Sequence, residues 1–416
     1  MNTESDKYQL DFEFFRKQFP FFETGKSKEW SFFDNAGGSF PCRQVIDRLV
    51  HFYRENKVQP YAHNALARAA HDQLYEGTQV IADILGVPVK TLTLGASSTQ
   101  NFNTLAAACV GYVKEGDEFI ISEQDHEANI GGWERAAMNA KAKFTLWPVN
   151  SKTGELEVET LKSLINEKTK VISLTHCSNV VGTINPIKEI VEVAKTVGAK
   201  VVVDGVSYAP HNWPDILDLN IDAYGFSTYK TYGTHQGVLY VKEDFMDLLK
   251  VQCHYFYEDD PSYKLNSSGH DHACVAALAG LKDFIEELYL HHFGEDQKSL
   301  KEKASLVSKI LFDYEQSQCG DFLNELNSMP VRVIGRTKME NRETNIAFIP
   351  DSMTPGELAD KLAEKGVAAS PSHFDCVRMM ERLGVDTKEG VLRVSFAPYN
   401  SKEDTEKIIN ALKEIL

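Results

Sequence analysis

The stretch YGFSTYKTYGTHQGVLYV, residues 224–241, consists of two apolar runs interrupted by Ser227, Thr228, Tyr229 and Lys230. Each run is typical of a buried β-strand, whereas lysine is strongly hydrated and rarely buried without a partner. A lysine between two core strands indicates either a structural ion pair or an amine that is used chemically, because burial readily changes the pKa of lysine. For Lys230 taken alone, both interpretations stay open.

Outward from this stretch, short apolar runs alternate with amphipathic stretches, such as the helical pattern IKEIVEVAKTVGA at 187–199. This alternation predicts an α/β fold with a mostly parallel seven-stranded sheet that is covered by helices on both faces. Ligands of such sheets bind beyond the carboxyl ends of the strands, so the residues after each run are the candidates for function. The seven runs are residues 91–97, 118–122, 144–149, 170–176, 200–206, 223–228 and 237–241.

The composition excludes several classes of protein. The chain has 416 residues, 43% of them apolar, which suits two domains or one large domain with a smaller partner. Its net charge of −16 argues against nucleic acid and anionic membranes as partners. Seven scattered cysteines without a CxxC pair argue against a disulfide framework and a tetrathiolate metal site. Without a signal-peptide pattern or a membrane-length apolar run, we expect a cytoplasmic protein.

Side chains at the predicted strand ends suit pyridoxal phosphate (PLP). The aldehyde of PLP needs an amine, for which Lys230 is the candidate. Its ring nitrogen stays protonated beside a buried carboxylate, and Asp204 follows the strand VVVD. His126 can stack on the ring, and Asn179 can donate to the phenolic oxygen.

The phosphate of PLP suits amides and hydroxyls at a helix N-terminus, and Ser98, Thr99 and Gln100 open the helical pattern of GASSTQNFNTLAAA (95–108). Taken singly, each candidate has a plain structural explanation. The lysine can form an ion pair, the aspartate and the Ser-Thr-Gln stretch can cap helices, and the histidine can be an ordinary loop residue. The ordered set at successive strand ends is what indicates a PLP site.

Five stretches of the chain resemble the class V aminotransferase group of fold-type I PLP-dependent enzymes, and within it the cysteine desulfurase-like branch. The resemblance begins at FFDNAGGSFP (32–41) and continues almost to the C-terminus. The stretches that carry it are DHEANIGGW (125–133), CSNVVGTINPI (177–187), VVVDGVSYAPH (201–211), STYKTYG (227–233) and VLRVSFAPYNSKED (391–404).

The resemblance implies a role for each candidate residue. Lys230 would form the Schiff base, Asp204 would pair with the pyridine nitrogen and His126 would stack on the ring. Further cofactor contacts would come from Ser98, Thr99, Gln100, Asn179, Ser207 and Ser227, and substrate contacts from Arg393, Asn179, Ala36 and His63. Arg393 would bind the substrate carboxylate. His63 belongs to QPYAHNALARAAHD (59–72), which lines either the substrate entrance or a subunit interface.

The resemblance also implies an architecture. Residues 1–285 would form an N-terminal segment and the large PLP-binding domain, and residues 286–416 a small C-terminal α+β domain. Such enzymes are usually homodimers in which a loop of the other subunit contacts the phosphate. Here NSSGHDHA (266–273) holds that place, with Ser268 or Gly269 where a threonine is usual. We interpret its two histidines as part of a polar interface loop rather than as metal ligands.

The reaction depends on where the chain departs from the desulfurase pattern. Desulfurases carry a nucleophilic cysteine in a stretch like RxGxxC, and the corresponding segment here is GVAASPSHFDCVRMMERLG (366–384). It places Asp375 at the nucleophile position and Cys376 one residue later. Cys376 can serve if the loop shifts, or it is a small half-buried residue at the start of a helix.

We therefore expect an enzyme that acts on an amino acid, most directly a C–S lyase that performs β-elimination on cysteine or a cysteine derivative. A class V aminotransferase is the alternative, followed by a true desulfurase that uses Cys376. A PLP-binding module without chemistry conflicts with the complete set of Lys230, Asp204, His126 and Arg393. A zinc hydrolase has no HExxH or comparable spacing to support it.

Overall fold

The computed structural model describes residues 8–267 and 269–416, and its centre is a seven-stranded sheet with the order β2-β8-β7-β6-β5-β3-β4. Only β8 runs antiparallel to its neighbours, so the other six strands share one direction. This confirms the mostly parallel seven-stranded sheet. After the short β1 (Ser31–Phe32), the strands are β2 (Leu92–Gly95), β3 (Glu118–Ser122), β4 (Lys143–Trp147), β5 (Thr169–Thr175), β6 (Lys200–Asp204), β7 (Ala223–Ser227) and β8 (Gly237–Val241).

Both faces of the sheet are covered by helices. Successive valines of β6 lie in different cores, since Val201 and Val203 pack in one cluster and Val202 in the other. Near-continuous apolar strands result from this two-sided burial. The helices are α1 (Phe12–Arg16), α2 (Lys26–Glu29), α3 (Arg43–His51), α4 (Ala65–Leu85), α5 (Ser98–Cys109), α6 (Glu127–Ala140), α7 (Val158–Leu164), α8 (Ile187–Lys195), α9 (Ile216–Leu219), α10 (Glu243–Met246), α11 (Pro261–Lys264), α12 (His272–Ala277), α13 (Gly280–Phe293), α14 (Leu300–Leu326), α15 (Pro355–Glu364), α16 (Val377–Arg382) and α17 (Lys402–Ile415).

A second, antiparallel sheet belongs to the C-terminal part of the chain and has the order β12-β13-β10-β9. A Thr354 and Glu357 capping box begins α15, which packs with α14 and α17 over this sheet. The strands are β9 (Val331–Ile334), β10 (Asn345–Pro350), β11 (Val367–Ala368), β12 (Ser370–Ser372) and β13 (Val391–Ser395).

The N-terminal segment packs against the C-terminal part of the chain. Its strand β1 pairs with β11 in a separate two-stranded parallel sheet, and Phe33 packs in the same core as β10 and β13. The expected boundary between residues 285 and 286 lies inside the continuous helix α13. The division into 1–285 and 286–416 stays a proposal. Within residues 8–267 and 269–416, no helix is both long enough and apolar enough to cross a membrane.

Two helical glycines, one in α4 and one in α14, differ in how closely their surroundings are packed. A Cβ at Gly77 in α4 would lie 2.0 Å from the backbone oxygen of Val275, whereas one at Gly320 in α14 would meet only Met339 Cγ at 3.4 Å. We expect Gly77→Ala to lower the free energy of unfolding by about 1–3 kcal/mol through overpacking. Gly320→Ala should instead raise it by roughly 0.5–1 kcal/mol, because alanine loses less backbone entropy on folding. Urea denaturation followed by circular dichroism measures both, and an unchanged Gly77→Ala midpoint would contradict the packing of α4 against α12.

Candidate active site

A cavity of about 190 Å³ opens at the edge of the sheet where β2, β3, β5, β6 and β7 end. These five strands end at the same edge because they share one direction, so distant parts of the chain meet there. The lining includes Ser98, Thr99, His126, Asn179, Asp204, Ser207, Ser227, Tyr229, Lys230 and His235.

Lys230 ends a short 3₁₀ turn, Thr228–Lys230, that directly follows β7. Burial lowers the pKa of its amine to about 8, and the nearby Arg393 cation acts in the same direction. The carboxylates of Asp204 and Asp34 oppose this shift. A lysine with such a pKa is neutral in a minor but far larger fraction of molecules near physiological pH than an ordinary lysine is, and a nucleophilic or basic amine must be neutral.

Asp204 is the last residue of β6 and is buried in the wall of the same cavity. Its Oδ1 accepts a hydrogen bond from the backbone amide of Val206 at 2.9 Å. Burial raises the pKa of Asp204 to about 6, and the Lys230 cation partly offsets this effect. A carboxylate buried in this way favours a cationic partner such as a protonated ring nitrogen.

Two serine hydroxyls meet in the wall of the same cavity. Ser98 Oγ and Ser227 Oγ are 2.7 Å apart, where the N-terminus of α5 meets the end of β7. The helix is capped by Ser97, whose side chain accepts from the amide of Gln100 at 3.1 Å. The Gln100 side chain turns away and donates to Ser267 Oγ at 3.0 Å, so the structure does not bring it into this cavity.

His126 is the N-cap of α6 and is held through both ring nitrogens. Nδ1 accepts from the backbone amide of Ala128 at 3.0 Å, which places the ring proton on Nε2. Nε2 lies 3.1 Å from Asp375 Oδ2. Burial lowers the pKa of His126, and the Asp375 carboxylate opposes this shift.

The preceding residue, Asp125, was not among the sequence candidates. It is buried and accepts hydrogen bonds from Asn129 Nδ2 at 2.6 Å and from the backbone amide of Thr175 at 3.0 Å. Burial and the neighbouring Asp204 raise its pKa to about 7. Asp125 ties the turn that carries His126 to the end of β5. The sequence signal that could have identified Asp125 is a second carboxylate that follows a predicted strand, as Asp204 does.

Asn179 lines the cavity and is held by the segment that precedes α16. Its Nδ2 donates to the backbone oxygen of Phe374 at 3.0 Å, and its Oδ1 accepts from Cys376 Sγ at 2.9 Å. Cys376 is the N-cap of α16, as expected for the start of a helix, but it is only 1% exposed rather than half-buried. Burial raises the pKa of its thiol, so the sulfur is protonated at neutral pH.

Arg393 lies on β13 and does not itself line the cavity. Its Nη2 donates to Asp34 Oδ1 at 3.2 Å and its Nη1 to the backbone oxygen of Asn179 at 3.2 Å. The Phe374 ring covers the guanidinium of Arg393, with 3.7 Å between the ring centre and Arg393 Cζ. The Arg393 side chain is 4% exposed. Sequence reasoning missed Phe374, since a loop phenylalanine carries no signal for this contact.

The two remaining substrate candidates lie in different places. Ala36 lines a smaller cavity that also contains Ser207 and Lys230, and its amide donates to Ser395 Oγ at 2.8 Å. His63 is exposed before α4 and lines neither of these cavities. Ser268 lies outside the described residues. Gly269 and His270 line a separate groove, and the described residues hold no group of three or more side chains suited to a metal ion.

Comparisons with known proteins agree with this geometry. Residues 31–408 match the family Aminotransferase class-V. An aminotransferase-like protein of Gibberella zeae is 31% identical, over 96% of this chain and 97% of the relative. A cysteine desulfurase of Synechococcus elongatus is 28% identical, over 96% of this chain and 63% of the relative. The crystal structure of a cysteine desulfurase from Escherichia coli superposes with a TM-score of 0.81 at 24% identity, covering 97% of this chain and 98% of the other.

The chain therefore belongs to the class V aminotransferase family. It is a PLP-dependent enzyme similar to cysteine desulfurases, as the sequence predicted, and its fold is that of fold-type I.

The residues at the cavity fit the PLP that the family implies. The Lys230 amine and the buried Asp204 carboxylate face one space, and the Ser98 and Ser227 hydroxyls converge at the first turn of a 12-residue helix. The first amides of a helix lack intrahelical acceptors and favour an anion such as phosphate. Asn179 Nδ2 carries two protons, one of which Phe374 uses, so the other suits the cofactor oxygen.

The pH dependence of amine labelling tests the environment of Lys230. We expect acetic anhydride to label Lys230 of the cofactor-free protein with a midpoint near pH 8, because only the neutral amine reacts and burial lowers its pKa to about 8. Exposed lysines should show labelling midpoints at about pH 10.4. Asp204→Asn should move the Lys230 midpoint lower, since it removes a carboxylate that stabilises the cation. Mass spectrometry of the labelled peptides gives the midpoints, and a Lys230 midpoint equal to that of exposed lysines would contradict the assignment.

Proposed function

We propose that the enzyme is a C–S lyase that eliminates sulfur from cysteine or a cysteine derivative. The observation that carries this proposal is the placement of Cys376. A desulfurase needs a thiolate that reaches the substrate sulfur. Here the thiol is 1% exposed and donates to Asn179, while Asp375 takes the nucleophile position and contacts His126. Sulfur would therefore leave as a thiol or sulfide rather than move onto the protein.

PLP, when bound, supplies a conjugated ring that accepts the electron pair left at Cα. We assign its binding to Lys230, Asp204 and His126, with Ser98 and Ser227 at the phosphate. Asp204 would keep the ring nitrogen protonated, and His126 would cover one face of the ring.

The catalytic proton transfers fall to Lys230. Its neutral Nζ would remove the α-proton of the substrate, while Arg393 holds the carboxylate and so fixes which bond is cleaved. The Cβ–S bond then breaks with its electron pair on sulfur. Tyr229 lines the cavity beside Lys230, and its hydroxyl can donate a proton to the leaving sulfur. The net reaction consumes cysteine and water and yields pyruvate, ammonia and sulfide.

The aminotransferase alternative is supported by the aminotransferase-like relative from Gibberella zeae. The same first proton transfer serves both reactions, and they diverge in whether a leaving group departs from Cβ. In that alternative, Lys230 would carry the proton, the amino group of the substrate would pass to an added keto acid, and the sulfur would stay on the carbon skeleton.

We further propose a homodimer in the cytoplasm. Tyr61 is 54% exposed and Tyr255 is 83% exposed, which a second subunit would cover. Tyr61, His254 and Asp271 line a groove beside the 266–273 loop that we assign to the interface. All seven cysteines are free, which suits a reducing compartment.

Product identification with L-cysteine tests the proposed reaction. We expect the PLP-loaded protein to release pyruvate and sulfide in equal amounts, and Cys376→Ser to retain most of this activity because serine preserves the hydrogen bond to Asn179. Lactate dehydrogenase coupling and a sulfide assay measure the products. Alanine with a protein persulfide, lost in Cys376→Ser, would instead establish a desulfurase. Consumption that depends on added keto acid would establish an aminotransferase.

The role of Lys230 has its own test. Lys230→Ala should abolish the yellow colour that borohydride bleaches and reduce turnover by several orders of magnitude, because no amine remains to bind the aldehyde or remove the proton. Lys388→Ala removes an exposed lysine and should keep both colour and turnover. Visible absorbance and steady-state rates provide the comparison. Turnover retained in Lys230→Ala would overturn the assignment.

A further inference from the structure

Three consecutive residues, Phe374–Cys376, each contact a different candidate residue of the site. The Phe374 ring covers Arg393 at 3.7 Å, Asp375 Oδ2 lies 3.1 Å from His126 Nε2, and Cys376 Sγ lies 2.9 Å from Asn179 Oδ1. We call these residues the 374–376 segment. Any displacement of this segment therefore changes the surroundings of a substrate-binding and two cofactor-binding candidates at once.

The backbone of the segment is strained. Phe374 has φ 48° and Asp375 has φ 55°, a region that non-glycine residues rarely occupy. Such conformations cost free energy and persist where surrounding contacts hold them, often in elements that move during function. The contacts here are hydrogen bonds from the amide of Phe374 to Ser372 Oγ at 3.1 Å and from the amide of Glu127 to the oxygen of Asp375 at 2.8 Å.

Arg393 has a buried donor that is free to bind a ligand. Among the described residues its Nε has no hydrogen-bond partner, and an unmet donor on a buried cation is costly. A carboxylate would accept a hydrogen bond from Nε and offset part of the positive charge, because carboxylates commonly bind arginine through charge-assisted hydrogen bonds. The Phe374 ring lies across the guanidinium, and Arg393 does not line the cavity that holds Lys230.

We propose that Phe374 is a specificity-determining residue that gates Arg393. The α-carboxylate of an entering amino acid displaces the ring, and the displacement pulls Asp375 from His126 and Cys376 from Asn179. An amine without a carboxylate leaves the ring in place. Carboxylate recognition is thereby coupled to release of the two residues beside the cofactor. This inference rests on the proposed function, because it takes an amino acid as the substrate.

Hydrogen exchange of the PLP-loaded enzyme tests the gate with L-alanine, which has no leaving group, and with ethylamine, which lacks the carboxylate. Each ligand is added until the cofactor absorbance stops changing. We expect L-alanine to speed exchange at the amides of Glu127 and Phe374, whose acceptors belong to or adjoin the segment, and ethylamine to leave both amides protected.

Two variants separate the ring from the backbone. Phe374→Gly removes the ring at a positive φ that glycine adopts without strain, so it should tighten apparent L-alanine binding about three- to tenfold, the range of a lost cation–π contact. Ethylamine binding should stay the same. Phe374→Tyr keeps a ring over Arg393 and should restore the wild-type ratio of the two affinities.

The outcomes are distinguishable. An absorbance change with L-alanine but unchanged exchange, together with an unaltered affinity ratio in Phe374→Gly, would overturn the gate and leave the proposed function intact. No absorbance change with L-alanine or any other amino acid would remove the proposed function, and the gate with it.

Discussion

The desolvation of the Lys230 amine is the constraint on which the rest of the site depends. A buried ammonium must either lose its proton or be balanced by carboxylates, and this site does some of each. Burial and the cation of Arg393 lower the pKa of Lys230, while Asp204 and Asp34 limit the shift to a final value of about 8. That balance yields an amine that is neutral often enough to react and still anchored by charge.

The same balance explains why two sheets meet at the site. Lys230 and Asp204 come from the parallel sheet, whereas Arg393 comes from β13 of the second sheet. Asp34 connects them, because it lies beside β1 and contacts Arg393. The N-terminal segment thus supplies a carboxylate that balances the buried charge of Arg393. Removing Asp34 would leave a buried guanidinium without its carboxylate, which is more costly than losing an exposed pair.

What could be predicted from the sequence follows from what parallel sheets impose. Strands that share a direction must end at one edge, so Asp204 and Lys230 could be placed together from apolar runs alone. The position of the Gln100 side chain could not be predicted. Ser97 is the N-cap of α5, and the Gln100 side chain donates to Ser267 instead of entering the cavity. His63 lies exposed before α4, and strand order says nothing about such a loop.

The 374–376 segment was beyond sequence reasoning for a further reason. Positive φ angles at Phe374 and Asp375 do not follow from residue types that usually avoid them. Tertiary contacts hold this conformation, in which Asp375 contacts His126 and Cys376 contacts Asn179. In the lyase reaction that we propose, the Cys376 thiol would stay hydrogen-bonded to Asn179, and cleavage of the Cβ–S bond would fall to the acid and base groups around Lys230.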